Sequence, residues 1–221
     1  MKCFYLTICF IIAIVGLCEA QEEPVTIGYT WDKHSIDYEL SSGLGIYRDC
    51  SSKDFWKAGS CAGVGANYTY TPAKHIRMRA GISEQFYSSS RMVEHPYPYV
   101  MDMKLKLSTI STRLIAGSEW VFPKTQEYQT TFVGLGLYGD VIHYAKASAW
   151  PNYISHTGLE TMNLKDSFSF ITPGIMFNVG IQGSLGRLDL RYMVDITRFD
   201  IPGVPIGKQR RAFIGLNFAF Q

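Results

Sequence analysis

Gly134-Leu135-Gly136-Leu137-Tyr138-Gly139 matches G-x-G-x-x-G, the spacing that lets a backbone approach a pyrophosphate at a helix N-terminus. That chemistry needs a strand before the glycines and a helix after them. The following DVIHYAKASAW has the length for such a helix, but no alternation of strands and helices surrounds it. The glycines therefore read better as room for bulky neighbours in a strand. Five histidines, His34, His75, His95, His143 and His156, form no i, i+4 pair and stand near no cluster of carboxylates. Neither a metal nor any other cofactor is expected. Asn67-Tyr68-Thr69 fits a glycosylation sequon, yet it lies in an alternating run that turns the Asn inward.

The thiols divide by position. Residues 1–20, MKCFYLTICFIIAIVGLCEA, carry one Lys, an apolar run over 4–17, and then Cys18-Glu19-Ala20. This reads as a cleaved export signal followed by a mature chain from Gln21. The run is too short to span a membrane comfortably as a helix. Lipid attachment at Cys18 is the competing reading, disfavoured by bulky Leu17 where such signals carry a small residue. Cys3, Cys9 and Cys18 leave with the signal, so Cys50 and Cys61 remain. In an exported chain these predict one disulfide, worth about 3 kcal/mol in the chain-entropy picture. A pair of free thiols is the alternative, whereas a lone C-x10-C is not a zinc pattern.

What positions these residues is a series of strands. The 221 residues, 47% hydrophobic and 18% charged, suit one folded body. A net charge of +2 with dispersed Lys and Arg gives no field for nucleic acid. After a segment over 21–33, period-two alternation begins. Ile36, Tyr38, Leu40, Leu44 and Ile46 oppose Asp37 and Glu39. Ala62, Val64, Ala66, Tyr68 and Tyr70 oppose Gly63, Gly65, Asn67 and Thr69. Past a turn signal at 71–74, Ile76, Met78, Ala80, Ile82 and Phe86 oppose Arg77, Arg79, Ser83 and Gln85. Met101, Met103, Leu105 and Leu107 oppose Asp102, Lys104 and Lys106. The parity then flips, so that Leu114, Ala116, Trp120 and Phe122 share a side, which predicts a bulge, or a turn, at 108–112. Further runs cover 130–144, 168–182 and 187–197, and the last is RRAFIGLNFAF. Short connections alternate with longer polar ones over 48–60, 88–96, 145–166 and 198–208. The predicted fold is all-β: an eight-stranded antiparallel up-and-down transmembrane β-barrel over 34–221, with 21–33 as a periplasmic segment.

Polarity decides between a soluble and a membrane barrel. An eight-stranded lumen is just wide enough for side chains to fill. Asp37, Glu39, Arg77, Arg79, Lys104, Lys106, Asp189 and Arg191 are assigned to a mixed-sign charge network there. Aromatics such as Tyr38, Tyr47, Trp120, Phe218 and Phe220 are assigned to interfacial girdles.

The segments GVGANYTYTPAKHIRMRAGISEQF, LGRLDLRYMVDIT and RRAFIGLNFAF resemble those of small eight-stranded outer-membrane barrels of OmpA/OmpX-type architecture, most closely the PorT-like barrel proteins of Gram-negative Bacteroidota. The resemblance covers nearly all of the mature chain. It implies residence in outer-membrane lipid, delivery by the barrel-assembly machinery through an aromatic final strand (here Phe220 precedes Gln221), and an accessory role with a protein partner in an envelope or secretion assembly. Similarity to lipid A acyl-modifying barrels would make parts of His143, His156, Ser148, Ser155 and Glu160. Their order does not match that pattern, so a non-enzymatic role is preferred. A soluble lipocalin-like binder, with its apolar face lining a cavity, is the remaining alternative. Trp150, Asn152 and Tyr153, in the loop over 146–165, are candidate partner-binding residues because amphipathic aromatics dominate such contacts.

Overall fold

The structure, a computed structural model, describes residues 34–49, 57–93, 100–122, 130–153, 160–183, 186–202 and 208–220. Residues 1–20, expected as an export signal, the expected periplasmic segment over 21–33 and Cys50 lie outside them. Nine strands follow in order: β1 (His34–Asp49), β2 (Lys57–Ala73), β3 (Ile76–Val93), β4 (Val100–Val121), β5 (Thr130–Tyr153), β6 (Glu160–Asn163), β7 (Thr172–Gly183), β8 (Gly186–Asp195) and β9 (Gln209–Phe220). All pairings are antiparallel. Eight strands close a ring in the order β1, β2, β3, β4, β5, β7, β8, β9 and back to β1, while short β6 adds to the free upper edge of β5. The closing seam runs from Tyr38 opposite Phe220 to Asp49 opposite Gln209.

Tight connections lie at the end where β1 begins and β9 finishes, here the lower end. Lys74 and His75 turn β2 into β3. Gly183 faces Gly186 across the β7–β8 hairpin, and Gly186 has φ +138°, a conformation that costs little only without a Cβ. Among the described residues no helix is long and apolar enough to cross a membrane.

Pleating sends alternate residues to opposite faces, and the exterior is the apolar one. Ile36, Tyr38, Leu40 and Leu44 on β1, Leu135 and Leu137 on β5, and Leu216, Phe218 and Phe220 on β9 are 40–63% exposed. From Ile36 to Ile46 the strand runs about 33 Å, which at the usual tilt of such barrels is a band roughly 25 Å tall. Monomeric soluble proteins rarely expose so continuous an apolar surface. A lipocalin-like arrangement, apolar within, is therefore overturned. Tyr47, expected in the outer girdle, is fully buried instead.

Two expectations about the strands are corrected. β4 runs unbroken, and its odd-numbered residues point inward along the part whose side chains are described, from Met103 to Val121. What changes is chemistry, with Arg113 and Glu119 below and Met103, Leu105 and Leu107 above, all buried on the same face. The irregularity is in β5. Ile110 pairs with Tyr144 and Ser111 with Ile142, leaving His143 as the extra residue, and the buried parity switches from Ile142 to Ala145. Residues 146–153, expected in a loop, continue β5 above that bulge.

The expected Cys50–Cys61 bridge falls on Cys50, which lies outside the described residues, and is not shown. Cys61 lies opposite Gly43. Cys61 is a free thiol, partly buried beneath the upper core.

Candidate functional site

The interior is built from i, i+2 pairs: Asp37 and Glu39, Arg77 and Arg79, Asp189 and Arg191, each pair on one face of its strand. Among the described residues, six arginines (Arg77, Arg79, Arg113, Arg187, Arg191, Arg211) and six carboxylates (Asp37, Glu39, Glu119, Asp140, Asp189, Asp195) are buried. Their formal charges cancel.

Three carboxylates organise the lower layer. Glu39 accepts from Arg79 Nη2 at 2.8 Å, Asn67 Nδ2 at 2.7 Å and Arg191 Nη2 at 3.3 Å. Glu119 accepts both terminal nitrogens of Arg187 and Asn178 Nδ2 at 3.0 Å, with Arg77 Nη1 at 3.5 Å. Asp189 accepts Arg187 Nε at 3.0 Å, Arg191 Nε at 3.3 Å and Asn217 Nδ2 at 3.0 Å. Asp37 accepts the Thr69 hydroxyl at 3.3 Å. The Phe132 ring lies under the Arg187 guanidinium, whose Cζ is 3.8 Å from the ring centroid. Asn67 is thus committed inward, which removes the sequon.

The upper layer is smaller. Arg113 grips Asp140 through Nε at 2.7 Å and Nη2 at 2.8 Å. Arg211 joins Asp140 at 3.0 Å to Asp195 at 2.6 Å, and the Tyr138 hydroxyl donates to Asp195 at 2.7 Å. Above it the interior turns apolar. Tyr47, Tyr87, Leu105, Leu107, Ala147, Leu164, Phe168, Phe199 and Ile201 form one core with Phe213. Phe168 stacks on Phe199 at 4.3 Å, and Tyr47 meets Tyr87 edge-on at 4.7 Å. Leu164 and Phe168 follow β6, while Phe199 and Ile201 lie between β8 and β9, so two connections fold over the mouth.

Of the expected network, Asp37, Glu39, Arg77, Arg79, Asp189 and Arg191 are all inside. Lys104 and Lys106 are not. Both are exposed, because β4 keeps one inward parity and the space inside at that height is filled by Leu105 and Leu107. Arg113, Glu119, Asp140, Arg187, Asp195 and Arg211 join the network as well. Trp150, Asn152 and Tyr153 belong to β5, with Asn152 opposite Asp102 and Tyr153 opposite Val100. The Lys104 ammonium stands 6.0 Å from the Trp150 ring centroid.

The glycine motif lies wholly within β5, with no helix after it. A Cβ on Gly134 would overlap Asn178 Oδ1, so this glycine makes room for a network member. Among the described residues no group of three His, Cys, Asp or Glu could hold a metal. His143 and Ser148 are five positions apart on β5, about 17 Å, and do not meet. Glu160 begins β6, opposite Ala149, and the candidates Ser155 and His156 lie outside the described residues. His143 instead meets Thr112, whose Oγ1 is 2.5 Å from its Nε2 and also donates to Glu84. The Glu84 carboxylate is 3.9 Å from that nitrogen. This exterior cluster joins three strands, and only the polar interruptions at Glu84 and Thr112 in otherwise apolar rows hinted at it.

A closed antiparallel ring, apolar outside and charged within, leaves no edge of that ring unpaired. The combination defines an integral membrane β-barrel of the outer-membrane type. Solved structures include similar chains. Neisserial surface protein A (NspA) is 12% identical over 86% of this chain and 99% of its own, with a TM-score of 0.42. Ail, the attachment invasion locus protein of Yersinia pestis, is 12% identical over 86% and 100%, with a TM-score of 0.36. OprG from Pseudomonas aeruginosa is 10% identical over 84% and 96%, with a TM-score of 0.34. No family model and no curated protein matches the chain.

Proposed function

We propose that the chain is a non-enzymatic outer-membrane barrel with an ion-tight interior, serving as a structural or interaction subunit of an envelope or secretion assembly. The observation that carries this reading is the mutual neutralisation of six arginines and six carboxylates inside the ring. Paired and hydrogen-bonded, such groups hold one another, which supports a lumen without a continuous water path. The apolar core above them favours the same reading, as does the upper extension of β4 and β5, which offers Trp150 to a protein partner. The PorT-like resemblance supplies the accessory role.

The test has two stages. Electrophoresis of the membrane fraction should show faster migration before boiling than after it. Planar-bilayer recording should then show no steady conductance, and large stable channels would overturn the closed interior. Crosslinking from the upper strands identifies the partner. For the enzymatic alternative, acyl release from lipopolysaccharide by the purified protein is the deciding measurement.

A further inference from the structure

Outward positions at membrane height ordinarily carry apolar side chains, because a charged group facing lipid is costly and marks function when it occurs. Glu84, Thr112 and His143 depart from this together on three neighbouring strands. Ile82 and Phe86 flank them on β3, Ile110 and Leu114 on β4, and Tyr144 on β5, all exposed. Thr112 stands directly opposite Glu84, and the β5 bulge aims His143 at the same spot.

The hydrogen bonds set what the cluster can bind. Thr112 has one hydroxyl proton and gives it to Glu84, so His143 Nε2 is the donor toward the Thr112 oxygen. Glu84 keeps unused acceptor capacity and is 53% exposed, with His143 at 51%. A ligand that satisfies it must donate, as an amide N–H or a hydroxyl does. The glycerol esters of a diacyl phospholipid only accept. Higher on the same outer face stand three cations: Lys104 and Lys106, both exposed, and half-buried Lys146 opposite Ser108. Ser108 is four positions above Thr112, about 13 Å along the strand. Lysines at that height suit phosphate, while the rows below the cluster suit acyl chains.

We infer that the outer face of β3, β4 and β5 binds an outer-leaflet lipid whose headgroup carries phosphate and whose acyl chains are amide-linked or hydroxylated. This rests on the membrane orientation proposed above. The test uses the full chain in phosphatidylcholine nanodiscs containing a trace of either lipid A or phosphatidic acid, with retained lipid counted by mass spectrometry. Lipid A should be retained preferentially. The variant E84L/T112V/H143L, apolar where apolar residues are the rule, should retain it roughly tenfold less, as should K104A/K106A/K146A. Phosphatidic acid, with phosphate but no donor at cluster depth, should be held weakly. Equal retention of lipid A by native and E84L/T112V/H143L protein overturns the inference, as does phosphatidic acid held as well as lipid A. Heat-dependent migration of every sample reports insertion separately, and its absence would overturn the membrane reading itself.

Discussion

Arg187 on β8 reaches across the barrel to Glu119 on β4 and binds it with both terminal nitrogens, at 2.7 and 2.6 Å. The two strands are not neighbours in the ring, so this pair ties opposite walls together. Removing one member leaves the other charged and buried. The substitution Glu119→Ala should cost about 3–5 kcal/mol, read as a lower denaturant midpoint for loss of the heat-dependent gel shift. The double variant E119L/R187L should recover most of that loss. If it is no better than the single substitution, the pair does not act as described.

Lys106 and Arg79 test which face is wet. In a background with Cys50 and Cys61 changed to Ser, the K106C thiol should react quickly with a membrane-impermeant maleimide. The R79C thiol should stay unreactive until the barrel is unfolded. Rapid labelling of both would mean an open interior.

Gly45 has no spare volume. A Cβ there would overlap the Tyr87 ring at Cε2. Gly45→Val should displace that ring from the upper core and destabilise by about 1–3 kcal/mol. Adding Tyr87→Ala makes space, so the pair should melt at a higher temperature than Gly45→Val with Tyr87 in place. Additive losses would show that the two sites are independent.

Phe199 is 4% exposed and bridges Tyr47 and Phe168 over the mouth. Phe199→Ala should loosen the cap without opening the ring. Hydrogen exchange should rise at residues 160–171 while the heat-dependent migration persists. Unchanged exchange would remove Phe199 from the closure.

The strands legible in the sequence were those whose interior has one character throughout. β1, lower β3 and β8 carry charges inward and apolar residues outward, so period two reveals the face as well as the element. β4 does not. Its inward residues change from Arg113 and Glu119 to Leu105 and Leu107 without changing parity, and an apolar run beside Lys104 and Lys106 then imitates a lipid-facing row. The β5 bulge was hidden for a related reason, since His143 and Tyr144 are adjacent outward residues and neither stands out by type. The exterior cluster depends on register between strands 28 and 31 residues apart, which no local pattern encodes. The upper core is likewise completed by Leu164, Phe199 and Ile201, from connections that read as polar loops.

The seam between β1 and β9 has a consequence for how the molecule comes into being. The ring is sealed by strands at opposite ends of the fold, Tyr38 against Phe220. Until β9 arrives, β1 and β8 each present a row of unsatisfied amides and carbonyls that hydrocarbon cannot solvate. No half-built sheet can rest in the bilayer. Maturation must therefore be nearly all-or-none, with the emerging polypeptide kept out of lipid until its last strand is available to complete the circle.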